Sequence, residues 1–191
     1  MEILLDIIRS VDYNILLLIA DKLRGGVLDP VMTMLSLMGN GGAVWITLAV
    51  LLLFFRKTRR AGVAMLLALA AGYVIGNLCI KALVVRPRPF VTHSDLTALL
   101  DPGDPWSFPS GHALSSFAAA TALWCFHKKT GVLALVLAAL IAFSRLYASV
   151  HYPTDVLAGM LRGIALAHAA AFLTDRIIAT FHSIRLRKGD K

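Results

Sequence analysis

Charge is scarce in this sequence. Only 16% of its 191 residues are Asp, Glu, Lys or Arg, where a soluble domain carries about 25%. Acidic residues are fewest, 11 against 19 basic ones. The two cysteines, Cys79 and Cys125, each lie inside an apolar run. That excludes a secreted disulfide scaffold and suits buried thiols. No His-x3-His or Cys-x2-Cys spacing occurs, so the familiar metal-ligand patterns are missing. The start, MEILLDIIRS, has no basic region and no small-residue cleavage pattern, and no cleaved signal peptide is expected. Internal repeats and low-complexity tracts are also absent.

Apolar residues make up 58% of the chain, and the mean hydropathy is +0.75. They are gathered in long uncharged blocks, which points to an integral membrane protein and excludes a disordered tail or an ordinary cytosolic enzyme. The length suits one domain, residues 1–191. The net charge of +8 does not imply nucleic acid as a partner, because the basic residues cluster at the ends of apolar runs.

Residues 1–30 are amphipathic: Leu4, Leu5, Ile7 and Ile8 alternate with Glu2, Asp6 and Arg9. Ile15–Ala20 is too short to span, so one or two helices lying on the membrane surface are expected, with a deeper hairpin as the alternative. Val31–Phe55 is uncharged but interrupted at Gly39-Asn40-Gly41-Gly42, so its later part is expected to span. Further apolar runs cover Ala61–Ile80, Ala113–Phe126, Thr130–Phe143 and Pro153 to about Thr180. The expected fold is all-α, a polytopic bundle of about five to six transmembrane helices with interfacial helices before it. If the five runs all cross, the basic clusters at 56–60, 128–129 and 185–191 share the cytoplasmic side. The polar segment Lys81–Pro109 and the turn Arg145–Asp155 then share the outer side.

Three clusters within residues 81–155 carry the unusual chemistry. They are Lys81-x6-Arg88-Pro89, Pro109-Ser110-Gly111-His112, and Ser144-Arg145-x5-His151-x3-Asp155. Lys81, Arg88 and Arg145 are cations beside apolar helices, where charge is expensive. Arginine offers a planar fork to phosphate oxygens and lysine a point charge. Ser110 and Gly111 precede an apolar helix, whose start attracts anions. Asp155, four residues after His151, can accept one ring N–H and free the other nitrogen for attack. His112 is a second imidazole, available as a general acid. Taken singly, each feature has a plainer explanation: a snorkelling cation, a helix cap, a satisfied histidine. A metal site from His93, His112, His151 and nearby Asp residues is a further one, but three cations oppose a divalent ion. Arg162 lies seven residues after Asp155 on a similar helix face, and the plainer reading, a structural pair or a snorkelling side chain, is preferred for it.

KALVVRPRP, PSGH and SRLYASVHYPTD together resemble the three-part signature of the type 2 phosphatidic acid phosphatases, which share an active-site plan with vanadium haloperoxidases. The resemblance implies a metal-independent lipid phosphatase with no cofactor. It makes His151 the nucleophile of a phosphohistidine and Asp155 its orienting partner. His112 becomes the acid for the departing oxygen and then the base for water. Lys81, Arg88, Ser110, Gly111 and Arg145 become the phosphate holders. RPRPFVTH and HYPTDVLAG further resemble the small bacterial undecaprenyl-diphosphate phosphatases. That implies a bacterial inner-membrane enzyme converting undecaprenyl diphosphate to undecaprenyl phosphate at the outer face, in peptidoglycan precursor recycling. The alternatives are a phosphatidylglycerophosphate or phosphatidic acid phosphatase, a lipid A phosphatase, an enzyme passing phosphate to another lipid, or a lipid-binding scaffold without activity. The implied partners are the lipid substrate and the bilayer. The motifs do not specify an oligomeric state.

Overall fold

In the computed structural model, residues 2–189 are described, without the side chains of residue 77 and residues 181–189. The basic tail Arg185–Lys188 therefore lies outside the described side chains. Among the described residues the regular elements are all helices. Helix α1 (Glu2–Leu23) is followed by α2 (Leu28–Met38), a short 3-10 turn over Asn40–Gly42, α3 (Ala43–Leu53) and α4 (Arg59–Gly72). Helix α4 continues through a π-helical stretch, Tyr73–Ile80, into α5 (Lys81–Val84). After the short α6 (Pro89–Thr92) and a long loop come α7 (Gly111–Phe126), α8 (Lys128–Tyr147) and α9 (Pro153–Gly189).

Among the described residues, three helical stretches are long and apolar enough to cross a membrane: Arg59–Val84, Lys128–Tyr147 and Pro153–Thr180. A fourth is possible if α2 and the 40–53 segment, bent by 48°, form one broken span. The glycine interruption expected at 39–42 is thus a bend with helix on both sides, and the helix before it starts at Leu28. The amphipathic segment expected over 1–30 shortens to a single helix ending at Leu23. Helix α7, 16 residues long, falls short of the span length of about 20. It nonetheless runs beside α8 from the Ser110 end of the bundle to their junction at His127.

Helix α7 is the axis of the bundle and packs on α4, α8 and α9. Most of its buried positions are small, Ala113, Ser116, Ala118, Ala119, Ala120 and Ala122 among them, beside Leu114 and Leu123. Lipid chains are as apolar as any core, so close backbone packing rather than water exclusion holds membrane helices together. Gly159 and Gly163 of α9 show this. A Cβ on Gly159 would lie 2.5 Å from the Ser110 carbonyl oxygen, and one on Gly163 2.5 Å from that of Leu114. Trp45 fills the space between α3 and α7, its ring N–H donating to Ser116 Oγ at 2.9 Å. Large apolar side chains such as Leu51, Phe54, Leu133, Leu161 and Phe172 face outward. Cys79 is also exposed, contrary to its expected burial; Cys125 is half-buried, and both are free thiols.

The connectivity separates the two ends. The basic runs at 56–60 and 128–129 sit at the α3–α4 and α7–α8 junctions. The starts of α7 and α9 and the ends of α5 and α8 meet at the other end.

Candidate active site

At that second end a cavity of about 850 Å³ is lined by Lys81, Arg88, Gly111, His112, Arg145 and His151, with the loop residues Asp101–Asp104 alongside. Its remaining wall includes the apolar side chains of Ile46, Leu66, Leu69 and Leu78, with Asn40, Tyr73 and Ser115. Ile46 and Leu78 are also well exposed.

His151 sits in the tight connection between α8 and α9 and is buried. Its Nδ1 lies 2.7 Å from the Ser107 carbonyl oxygen. A carbonyl only accepts, so Nδ1 carries the proton and Nε2 keeps a free lone pair. Asp155 Oδ2 is 3.8 Å from Nδ1, beyond hydrogen-bonding distance. The direct contact that fixes the ring therefore comes from a backbone oxygen, not from the carboxylate four residues on. Asp155 supplies charge from the next position out. Burial pushes the His151 ring down to about 4, Asp155 pulls the other way, and the Arg145 and Arg88 charges add to the depression.

Asp155 is held by its own partners. Its carboxylate accepts from the Tyr152 N–H at 2.8 Å and from Arg86 Nη1 at 2.6 Å. Arg86 was not singled out in the sequence, since it lies within the x6 spacer between Lys81 and Arg88. It stacks 3.9 Å above the Tyr152 ring and donates through Nη2 to Asp12 of α1 at 2.8 Å. Asp12 is buried and also accepts from the Thr154 N–H at 3.0 Å and the Thr154 hydroxyl at 2.5 Å. Helix α1 is thereby tied to the first turn of α9. No sequence signal links positions 12 and 154; only an acidic residue on the mainly apolar side of an amphipathic helix hinted at it.

His112 opens α7 behind Ser110, whose hydroxyl caps the helix by accepting from the Ala113 N–H. The His112 Nε2 lies 2.9 Å from Asn40 Oδ1 and 3.2 Å from the Ser36 carbonyl oxygen. The Ser36 oxygen requires a proton on Nε2, which leaves Nδ1 as the exchangeable site. Room for the ring comes from Gly39, where a Cβ would lie 2.6 Å from His112 Cδ2. The α2–α3 bend thus serves His112, a link the sequence did not reveal.

The cations converge on the cavity. Arg145 is buried, donates through Nη1 to Ser36 Oγ, and has no hydrogen-bond partner on Nε. Arg88 donates to the carbonyls of Val150 at 2.7 Å and Asp104 at 2.8 Å. Lys81 Nζ lies 2.8 Å from Asp104 Oδ2, and Arg88 Nη2 lies 3.1 Å from Asp104 Oδ1. Burial would lift the Asp104 carboxyl, but Lys81 and Arg88 hold it below the usual carboxylate range. Among the described residues no three His, Cys, Asp or Glu side chains converge as metal ligands. His93 stacks on Tyr13, with ring centroids 4.2 Å apart. Arg162 lies 5.0 Å from the Phe108 ring centroid, one of its terminal nitrogens buried without a hydrogen-bond partner.

The PAP2 superfamily profile matches residues 61–178. An undecaprenyl-diphosphatase of Sulfolobus acidocaldarius is 38% identical over 63% of this chain and 58% of its own length. The chain spans between half and three-fifths of the length of several curated relatives that it matches. Among solved structures, a PAP2-type phosphatidylglycerolphosphate phosphatase from Bacillus subtilis superposes with a TM-score of 0.73 at 27% identity, covering 88% of this chain and 87% of that one. LpxE of Aquifex aeolicus gives a TM-score of 0.67 at 29% identity, covering 82% and 92%.

Proposed function

The chain belongs to the PAP2 superfamily, and on that premise we propose that it is a metal-independent lipid phosphatase whose substrate is undecaprenyl diphosphate. The observation that carries this reading is the pairing of His151, its Nδ1 tied to Ser107, with Lys81, Arg88 and Arg145 around one cavity. A neutral imidazole with a free Nε2 is a nucleophile, and three cations can stabilise a phosphoryl group in transfer.

In the first step Nε2 of His151 attacks the terminal phosphorus, and the bond to the leaving oxygen breaks in line. The positive charge that develops on the ring faces Asp155. Lys81, Arg88, Arg145 and the first N–H groups of α7 hold the equatorial oxygens. His112, its Nε2 proton anchored on Asn40 and Ser36, delivers a proton from Nδ1 to the departing oxygen. The phosphate dianion beside it favours the protonated ring. In the second step the same Nδ1 takes a proton from water, which attacks the phosphohistidine and releases inorganic phosphate. The lipid chain lies along Ile46 and Leu78, where the cavity wall meets the bilayer.

We infer that the active site faces the extracytoplasmic side of a bacterial inner membrane, an orientation supported by the basic runs at the opposite end. A second reading, phosphatidylglycerophosphate as substrate, is favoured by the fold match to the Bacillus subtilis enzyme. A panel in detergent decides between them: undecaprenyl diphosphate, phosphatidylglycerophosphate, phosphatidic acid and lipid A 1-phosphate, followed by phosphate release. The highest kcat/KM is expected for undecaprenyl diphosphate. A higher value for phosphatidylglycerophosphate would select the second reading, and no release from any of the four would refute the phosphatase assignment.

A further inference from the structure

Asp104 holds an unusual position. Its Oδ2 takes the Lys81 ammonium at 2.8 Å, and its Oδ1 takes Arg88 at 3.1 Å and the Trp106 N–H at 3.0 Å. Lys81 and Arg88 are two of the three cations assigned above to the phosphate oxygens. The Asp104 carboxylate thus uses donors that an incoming oxyanion also needs. Its side chain is 41% exposed, so water can receive it when it turns away. The loop that carries it bends at Gly103, whose φ of +78° favours glycine.

We infer that Asp104 is a specificity-determining residue, an internal carboxylate competitor that admits dianionic terminal phosphates to the site and turns away monoanionic phosphodiesters. The inference rests on the phosphatase reading and deepens it. A bilayer surrounds the site with phosphodiester headgroups, each bearing one charge. Exchanging the Asp104 carboxylate for such a headgroup swaps one negative charge for another and gains nothing in Coulomb energy. A terminal phosphate carries about −1.5 to −2 at pH 7 and three acceptor oxygens. It can outbid the carboxylate at Lys81 and Arg88, in a cavity that Arg145 also lines. The same competition helps expel inorganic phosphate after the second step.

The test uses the full chain in dodecyl maltoside micelles, with Asp104→Asn and Asp104→Ser compared with the parent. Orthophosphate binding is measured by calorimetry, with and without phosphatidylglycerol in the micelles. Both variants are expected to bind orthophosphate about tenfold or more tightly, the size of one opposing charge screened by water at a half-exposed position. Phosphatidylglycerol should compete with orthophosphate in the variants and not in the parent. Unchanged or weaker orthophosphate binding would overturn the inference and make Asp104 a scaffold for the two cations. Failure of both variants to fold would overturn it as well, since the carboxylate would then be a structural counterion. If the parent releases phosphate from no lipid while the variants still bind orthophosphate more tightly, the phosphatase reading fails and the charge contest at Asp104 stands.

Discussion

Replacing Asp155 with asparagine separates the two supports of His151. The Ser107 carbonyl, 2.7 Å from Nδ1, keeps the ring tautomer after the carboxylate is gone. What disappears is a negative charge 3.8 Å from a ring that becomes cationic as its Nε2 bonds to phosphorus. At an effective dielectric of about 20, that charge is worth about 4 kcal/mol. At about 1.4 kcal/mol per tenfold, phosphoenzyme formation should slow by about 10³-fold. The substitution also removes one carboxylate from Arg86, but Asp12 continues to pair with it at 2.8 Å, so the fold should survive. Rapid-quench trapping with labelled substrate measures the step, and orthophosphate binding by calorimetry reports ground-state phosphate affinity separately. A large drop in trapping with orthophosphate affinity retained is expected. Trapping within about threefold of the parent would refute the electrostatic role. Parallel loss of trapping and orthophosphate binding would mean that Asp155 builds the pocket and does not serve the ring.

His112→Ala should slow a lipid monophosphate by about 10²–10⁴-fold and a nitrophenyl phosphate less, because only the poor leaving group needs the proton; equal defects on both substrates would contradict this. His151 titrates at about 4 in the fold against 6.5 in the free residue. The unfolded chain therefore takes up the proton first, and thermal stability should fall as pH drops from about 6.5 to about 4. His151→Gln should flatten that slope in calorimetric scans across the window; a slope as steep as the parent's would assign it elsewhere. Activity should persist in excess EDTA and fall with vanadate, which mimics five-coordinate phosphorus; dependence on an added divalent ion would refute the metal-free mechanism. Cysteines introduced at Asp101 should react with an impermeant reagent from outside intact cells, and those at Arg59 should not. The reverse pattern would invert the proposed orientation.

The signature positions were legible because the chemistry is written in local spacing and the hydropathy runs bring the three motifs to one end. Lys81, Arg88, Gly111, His112, Arg145 and His151 all border the cavity. Contacts across long sequence separations were not legible. Asp12 meets Thr154 and Asn40 meets His112 only because the bundle folds back on itself. The orienting role given to Asp155 followed from its four-residue spacing, yet the nearest oxygen belongs to the Ser107 backbone, which spacing cannot reveal. Helix lengths shifted for a similar reason. The helix holding the apolar run Ala61–Ile80 does not stop at Ile80, because the π-helical stretch Tyr73–Ile80 joins α4 to α5, which ends at Val84.

The glycine contacts between α7 and α9 bear on how such a site can change. His112 lies in the first turn of α7 and Asp155 in the first turn of α9. Those two helices approach backbone to backbone at Gly159 and Gly163, where a Cβ would lie 2.5 Å from a carbonyl oxygen of α7 or of its cap Ser110. The reacting groups therefore stand on a chassis of fixed gauge. The wall formed by Ile46, Leu66, Leu69 and Leu78 belongs to other segments and can be recut one side chain at a time. A lineage, or an engineer, can retarget the tail that this pocket accepts while the phosphate chemistry stays in register.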